Sequence, residues 1–275
     1  MSTLTFESVS KPMNDVVKTE RHGRVAVVSM NRPEVLNALD KSLCRALVEA
    51  LADLGRSEDV GAVVLTGEGR AFCAGADLKS TADTKDDGAR RSPRRIHHDF
   101  NPVIETIGKL DKPVIAAVRG SCAGIGMSFA LACDLMVMAK DAYLLAPFVG
   151  IGLVPDGGAT WTLVRRLGYA RAFEFITDSK HRMGADAALA AGLANRVVDA
   201  GKVRDEAIAW AARLAELPPV ALSLTKRAAR LALHTSFTDF LTVEAEFQGW
   251  CTNTEDCLEA VQAFVEKRPA VFKGR

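Results

Sequence analysis

Two short runs of small residues, Cys73-Ala74-Gly75-Ala76-Asp77-Leu78 and Cys122-Ala123-Gly124-Ile125-Gly126, are where this chain can do chemistry. What they offer is main chain, because small residues let a ligand approach backbone N–H groups that bulkier side chains would cover. One N–H from each run, aimed at a single oxygen, makes an oxyanion hole: donors already in place for charge that appears only along the reaction path. Losing one such donor raises a barrier by about 3–4 kcal/mol. The same glycines also suit tight packing alone, and spacing does not separate the two readings.

The second run lies inside a longer unit, Lys112 to Asp134. Pro113 to Val118 is a short, largely β-branched apolar run, which reads as a buried strand. A turn at Arg119-Gly120 follows, and from Met127 to Cys133 the only polar side chain is Ser128. A helix with no polar face is buried on every side. Its glycine-lined start presents orphan N–H groups and the positive end of the helix dipole to whatever lies in front. Nucleotide motifs are excluded. Gly124-Ile125-Gly126 runs on to Phe129 where a dinucleotide fingerprint has Gly, and no Gly-Lys-Ser/Thr is present.

The elements that position these runs read as an α/β core. Strands are expected at 24–30, 62–65, 135–138 and 143–146, and helices from Lys41, capped by Asp40, to Leu54 and from Asn101 to Lys109. A loop from Pro147 to Gly158 feeds a helix through Trp161 and Leu167, stopped at Gly168. Strand and helix alternate to about residue 200. From 203 onward the pattern is wholly helical, over 203–216, 220–234, 237–250 and 254–267. Phe240, Phe247 and Trp250 on so small an appendage suit packing against another subunit. Residues 1–20 read as a loose arm or first hairpin. The charged stretch 79–100 reads as a mobile surface loop or lid, its Arg90, Arg91, Arg94 and Arg95 either solvated or meeting phosphates.

Hydrophobic content of 48% and charged content of 25% are those of a soluble globular protein. Thirty-five basic against 34 acidic residues give no general attraction to nucleic acid or anionic membrane. The first residues lack the apolar core of a signal peptide, and no apolar run is long enough to span a bilayer. Six cysteines with no Cys-x-x-Cys pair, and five scattered histidines, point to a reducing, cytoplasmic setting and to no metal site.

Several motifs in order identify a resemblance. Asn31-Arg32-Pro33 with Leu36-Asn37-Ala38, the run Ala71 to Leu78, the run Lys112 to Asp134, Gly152 to Gly158, and Ala263 to Arg268 together resemble the enoyl-CoA hydratase/isomerase (crotonase) superfamily over nearly the whole chain. The resemblance implies a crotonase-like spiral of ββα units over 1–202, carrying an acyl-CoA site. It also implies a C-terminal helical trimerisation region over 203–275, assembled as a trimer or a hexamer of two trimers. Coenzyme A enters as part of a thioester substrate, with no permanently bound cofactor. The thioester oxygen is expected between the N–H groups of Ala76 and Ile125, beside Gly124. The nucleotide and pantetheine are expected along Val35, Leu36, Ala38, Ala74, Asp77 and Leu78. Phe264 and Lys267 match positions where a neighbouring subunit's last helix meets the nucleotide, and Asp77 also reads as a cap for the helix starting near it.

The departures from the family matter most. A hydratase holds its water with two glutamates, and the matching positions here are Ser128 and Phe148. Asp156, eight residues after Phe148, stands where isomerases of the family often carry an acid. With Trp161 and Asn101-Pro102, the chain looks most like the bacterial 1,2-epoxyphenylacetyl-CoA isomerase branch, a setting of phenylacetate catabolism. The resemblance implies an enoyl-CoA isomerase in which Asp156 shuttles a proton, its pKa raised by Phe148, Val149 and Leu153 around it. Asp156 also reads as a cap for the helix beginning at Gly157-Gly158. Two other readings stay open. One is a hydratase-type lyase with rearranged groups, including Asp156 as a nucleophile on an aryl-CoA, and the other is a non-catalytic acyl-CoA binding protein.

Overall fold

The computed structural model describes residues 16–78 and 93–275. Val25–Met30 (β2), Ala62–Gly67 (β3) and Val114–Val118 (β4) are buried at every position. Parallel strands covered on both faces require that composition. They form the middle of a six-stranded sheet ordered β1-β2-β3-β4-β6-β9, with β1 at Val17–His22, β6 at Leu135–Ala139 and β9 at Arg196–Val198. Only β1 runs antiparallel, as the first hairpin. A second sheet holds β5 (Ser121–Ala123), β7 (Tyr143–Leu145) and β8 (Met183–Gly184). Consecutive pairs, β4 with β5 and β6 with β7, place one strand in each sheet before a helix follows, which is the ββα spiral.

The helices are α1 (Lys41–Arg56), α2 (Asn101–Lys109), α3 (Ile125–Ala132), α4 (Ala159–Leu167), α5 (Tyr169–Thr177) and α6 (Ala185–Ala190). Asp40 caps α1, accepting from Leu43 N at 2.8 Å, as its place before the apolar stripe predicts. Helix α3 starts two residues ahead of Met127, at Ile125. The expected loop 79–100 is corrected at its end: Pro93–Arg95 and a π turn at Ile96–Phe100 run helically into α2, with Phe100 buried. Arg90 and Arg91 lie outside the described residues.

From β9 to Glu266 the described chain is helical: α7 (Val203–Ala215), α8 (Pro219–Leu231), α9 (Phe237–Thr252) and α10 (Glu255–Glu266) follow a single 3-10 turn at Ala200–Lys202, and 269–275 is irregular. Helix α7 belongs to the core by packing. It crosses β2, β3, β4, β6 and β9, burying Val203, Ala207, Ala211 and Ala215, small side chains that let it lie close to the sheet. Helix α8 is docked by charge: Lys226 Nζ and Arg230 Nη2 meet the two Asp134 oxygens at 2.7 and 2.8 Å. Helices α9 and α10 bury Phe247 but leave Phe237, Trp250 and Phe264 exposed.

One buried polar side chain joins the segments that carry the site. After a 3-10 turn at Pro33–Val35, Leu36 and Asn37 both take left-handed backbone, φ 55° and 56°. Asn37 is fully buried; its Oδ1 accepts from Arg32 N, and its Nδ2 donates to the carbonyls of Glu68 and Ala71, each at 2.9 Å. Asn tolerates left-handed backbone better than most residues. Asn37→Ala removes all three bonds and leaves main-chain groups without a partner, so unfolding free energy falls by about 2–4 kcal/mol. Chemical denaturation at fixed protein concentration checks this, and a loss below about 0.5 kcal/mol contradicts it.

Candidate active site

The two small-residue runs meet. Single parallel bridges pair Cys73 with Cys122 and Leu39 with Ala76. Cys73 N donates to Ser121 O (3.1 Å) and Ala123 N to Cys73 O (2.9 Å), while Leu39 N donates to Gly75 O (2.8 Å) and Asp77 N to Leu39 O (2.9 Å). Gly124 N is taken by Leu145 O at 3.0 Å. This lacing uses the N–H groups of Asp77 and Gly124. Among the described residues, the N–H groups of Ala76 and Ile125 donate to no main-chain acceptor. Ile125 opens α3, whose cap, Gly124, supplies no side-chain bond.

Gly75 explains why the contact is so close. Its φ is +102°, and a methyl group there would lie 3.1 Å from Ala123 O and 3.8 Å from Gly124 Cα. Gly126 does a different job. A methyl on it would sit 2.5 Å from Cys73 Sγ, so Gly126 serves packing against Cys73 while Gly75 and Gly124 meet each other. Cys73 is no nucleophile here, since burial pushes its thiol up to about 12.

Asp77 has a part that sequence reasoning missed. Its Oδ2 meets Arg32 Nη2 at 3.0 Å, and Arg32 Nη1 reaches Asp40 Oδ2 (3.0 Å) and Ala38 O (2.6 Å). Arg32 thus ties the turn at 31–40 to the residue after Ala76. The helix that Asp77 was expected to cap lies outside the described residues. Ala74 N donates to Leu36 O (2.9 Å), and Arg32 joins Ala38 O to Asp77, so the segments 36–38 and 74–77 lie side by side at this rim, with Leu78 exposed. Phe264 and Lys267 are elsewhere. Phe264 is 85% exposed on α10, Lys267 is that helix's left-handed C-cap, and no hydrogen bond or ion pair among the described residues joins either to the rim.

Asp156 stands one helical turn from Ile125, held by α3. Ser128 Oγ, fully buried, donates to Asp156 O at 2.9 Å, and Ala159 N donates to the same carbonyl at 3.1 Å. Helix α4 therefore starts on the main-chain oxygen of Asp156, with Gly158 as cap and no side-chain cap bond. The capping reading of the Asp156 carboxylate fails. Its Oδ1 is buried without a hydrogen-bond partner among the described residues. Burial pushes its pKa up to about 6, against smaller pulls downward from its own N–H and from the positive charge of Arg95.

The source of that burial differs from expectation. Phe148 is buried and its Cζ lies 3.9 Å from where a Gly124 methyl would be, but Val149 and Leu153 are about half exposed. The turn is instead seated on α3. A methyl on Gly157, φ +58°, would overlap Ile125 Cδ1 and come 2.8 Å from Ser128 Cβ. Arg95 was expected on a solvated loop, and nothing local foretells that its helical turn faces Asp156. A cavity of about 610 Å³ between α3, α4 and α8 borders this region through Ser128 and Gly157, with Leu131, Trp161 and Leu233 in its wall, but it does not reach Asp156 or Phe148.

The ββα spiral with a helical C-terminal region is the architecture of a known class of acyl-CoA enzymes, and comparison with known proteins places the chain in it. The chain belongs to the enoyl-CoA hydratase/isomerase family, whose model matches residues 20–275. It is 38% identical over 254 residues to a probable enoyl-CoA hydratase of Rhodobacter capsulatus, covering 91% of this chain and 95% of that one. It is 34% identical over 251 residues to the 1,2-epoxyphenylacetyl-CoA isomerase of Escherichia coli, with the same coverage. The crystal structure of an enoyl-CoA hydratase from Bacillus anthracis superimposes with a TM-score of 0.89 at 31% identity, over 94% of this chain and all of that one.

The raised Asp156 pKa has a stability consequence. The folded chain holds this proton up to about pH 6, the unfolded chain only to the ordinary 3.8. Below pH 4 the carboxyl is neutral in both states; between 4 and 6 the cost of burying its charge grows, and above 6 it is fully present. Asp156→Asn therefore gains about 2–3 kcal/mol at pH 7.5 and nothing at pH 3.5, by urea denaturation at both values. A gain equal at both would show that charge burial is not its cause.

Proposed function

We propose that this chain is an enoyl-CoA isomerase, moving a double bond relative to the thioester without taking up water. The observation that carries this reading is the half-buried Asp156, its Oδ1 buried without a partner among the described residues and its main chain seated on the helix that Ile125 opens, where the two hydratase glutamate positions hold Ser128 and Phe148. A 3-enoyl thioester oxygen accepts from Ala76 N–H and Ile125 N–H. The ionised Asp156 takes a proton from C2, and the resulting dienolate places its charge on the oxygen those donors hold. The neutral Asp156 acid then returns the proton to C4, giving the 2-enoyl thioester and the starting carboxylate. A group that is base first and acid second works best with a pKa near ambient pH, and about 6 suits both steps. Ser128 has no base beside its hydroxyl, which is committed to Asp156 O, and Phe148 has no proton to exchange.

The isomerase name of the Escherichia coli relative supports this reading, and the hydratase names of the others favour a second one, water addition with Asp156 as the base. Coenzyme A enters with the substrate. We further propose a trimer, or two trimers, in which Phe264 and Lys267 of one chain meet the nucleotide bound to its neighbour. The exposed Phe237, Trp250 and Phe264 support an associating C-terminal face.

Turnover of a 3-enoyl-CoA and a 2-enoyl-CoA in heavy-oxygen water tests the proposal. Expected is a double-bond shift with no oxygen label, slowed about 10²–10⁴-fold in Asp156→Asn, with kcat falling as pH drops through about 6. A labelled 3-hydroxyacyl product that survives the substitution sinks the isomerase reading. Acyl-CoA binding with no turnover of either substrate favours a binding protein.

A further inference from the structure

We infer that Ser128 is a positioning residue: by tying the Asp156 main chain to the helix that begins at Ile125, it fixes the proton-transfer group relative to the oxyanion donor. The inference rests on the isomerase reading for its catalytic meaning, but its geometry is independent. Ile125 and Ser128 are three residues apart on α3, hence neighbours on one face of the helix. Ser128 Oγ reaches Asp156 O at 2.9 Å, and Gly157 is pressed on Ile125 and Ser128 together. The donor and the acid are thus mounted on a single turn of one rigid, buried helix.

Two features make this bond matter more than an ordinary buried hydroxyl's. First, Asp156 Oδ1 has no hydrogen-bond partner among the described residues, so no described side chain from another element steers that carboxylate oxygen. The main chain of 156–158 has to do it, and its ties are the Ser128 bond, the Ala159 N–H and the packing of Gly157. Second, the fit demands a small side chain at 128. With a Gly157 methyl already only 2.8 Å from Ser128 Cβ, the space between α3 and the turn is filled. A glutamate at 128 displaces the turn that presents Asp156. Positions 128, 156 and 157 act as one unit, in which a short donor on the helix, an acid on the turn and a glycine between them specify each other. The charged group that bears on Asp156 from the other side is Arg95, on the helical run before α2.

The test uses carbon-13 labelled aspartate in the full chain. Asp156→Asn assigns the Asp156 carboxyl signal, which is then titrated in the wild type and in Ser128→Ala. Without the tie, the turn lifts from α3 and its carboxyl gains water. Its titration is then expected to fall by about one pH unit toward the ordinary carboxylate range. The acid limb of kcat moves down with it, kcat drops about tenfold, and KM stays within about twofold because no thioester contact is altered. An unchanged Asp156 titration and pH profile in Ser128→Ala, with only thermal stability reduced, overturns the inference and leaves Ser128 a satisfied core hydroxyl. The two readings fail separately. Turnover that survives Asp156→Asn defeats the isomerase reading whatever the titration does, whereas an inactive Asp156→Asn with an unmoved Ser128→Ala titration defeats the positioning role alone.

Discussion

The contact of two backbones at Gly75 and Gly124 is the constraint on which the rest of this structure depends. Two peptide segments approach this closely only if neither carries a side chain at the meeting point and each is held from behind. The Cys73–Cys122 bridge grips one side and the Leu39–Ala76 bridge the other. Behind those stand Asn37, whose buried amide ties together the chain on either side of it, and Arg32, whose guanidinium spans the turn at 31–40 and Asp77. The fully buried parallel strands β2, β3 and β4 set the spacing from which all these loops depart.

Around that contact the molecule separates two jobs. In the proposed chemistry the main chain holds charge, and side chains choose what is done with it. Asp156 illustrates the tension, because the burial that opposes its ionisation is also what brings its pKa near neutrality. A surface carboxylate would cost nothing and be a poor proton shuttle at neutral pH. The folded state therefore carries an electrostatically unfavourable group at the place where the proposed proton transfer needs it.

Much of this was legible beforehand, for reasons that can be stated residue by residue. The Lys112–Asp134 unit announces itself because a buried strand and an all-apolar helix leave few alternatives, and Asp40 caps α1 because local spacing alone decides a cap. What escaped depends on distance along the chain. Arg32 and Asp77 are separated by 45 positions, and no periodicity links them. Charge composition took Arg95 for part of a solvated loop, since a short π turn anchored by Phe100 has no compositional signature. Val149 and Leu153 were expected to bury Asp156 because they are apolar and near in sequence, yet they face outward, and α3 does the burying. Helix α7 looked like part of the appendage, but its alanines fit it to the sheet.

The use of peptide N–H groups as the charge-holding donors also bears on how such a chain diverges. Every residue has an N–H except proline, so substitutions at Ala76 or Ile125 do not erase the donor; they only shift it. Positions 128, 148 and 156 carry no such protection, and a single codon change at any of them adds or removes an acid, a hydroxyl or a ring. Substitution therefore spares the proposed enolate-holding donors more readily than the proton chemistry beside them. Paralogues sharing this architecture are best sorted by the side chains at those three positions rather than by overall likeness.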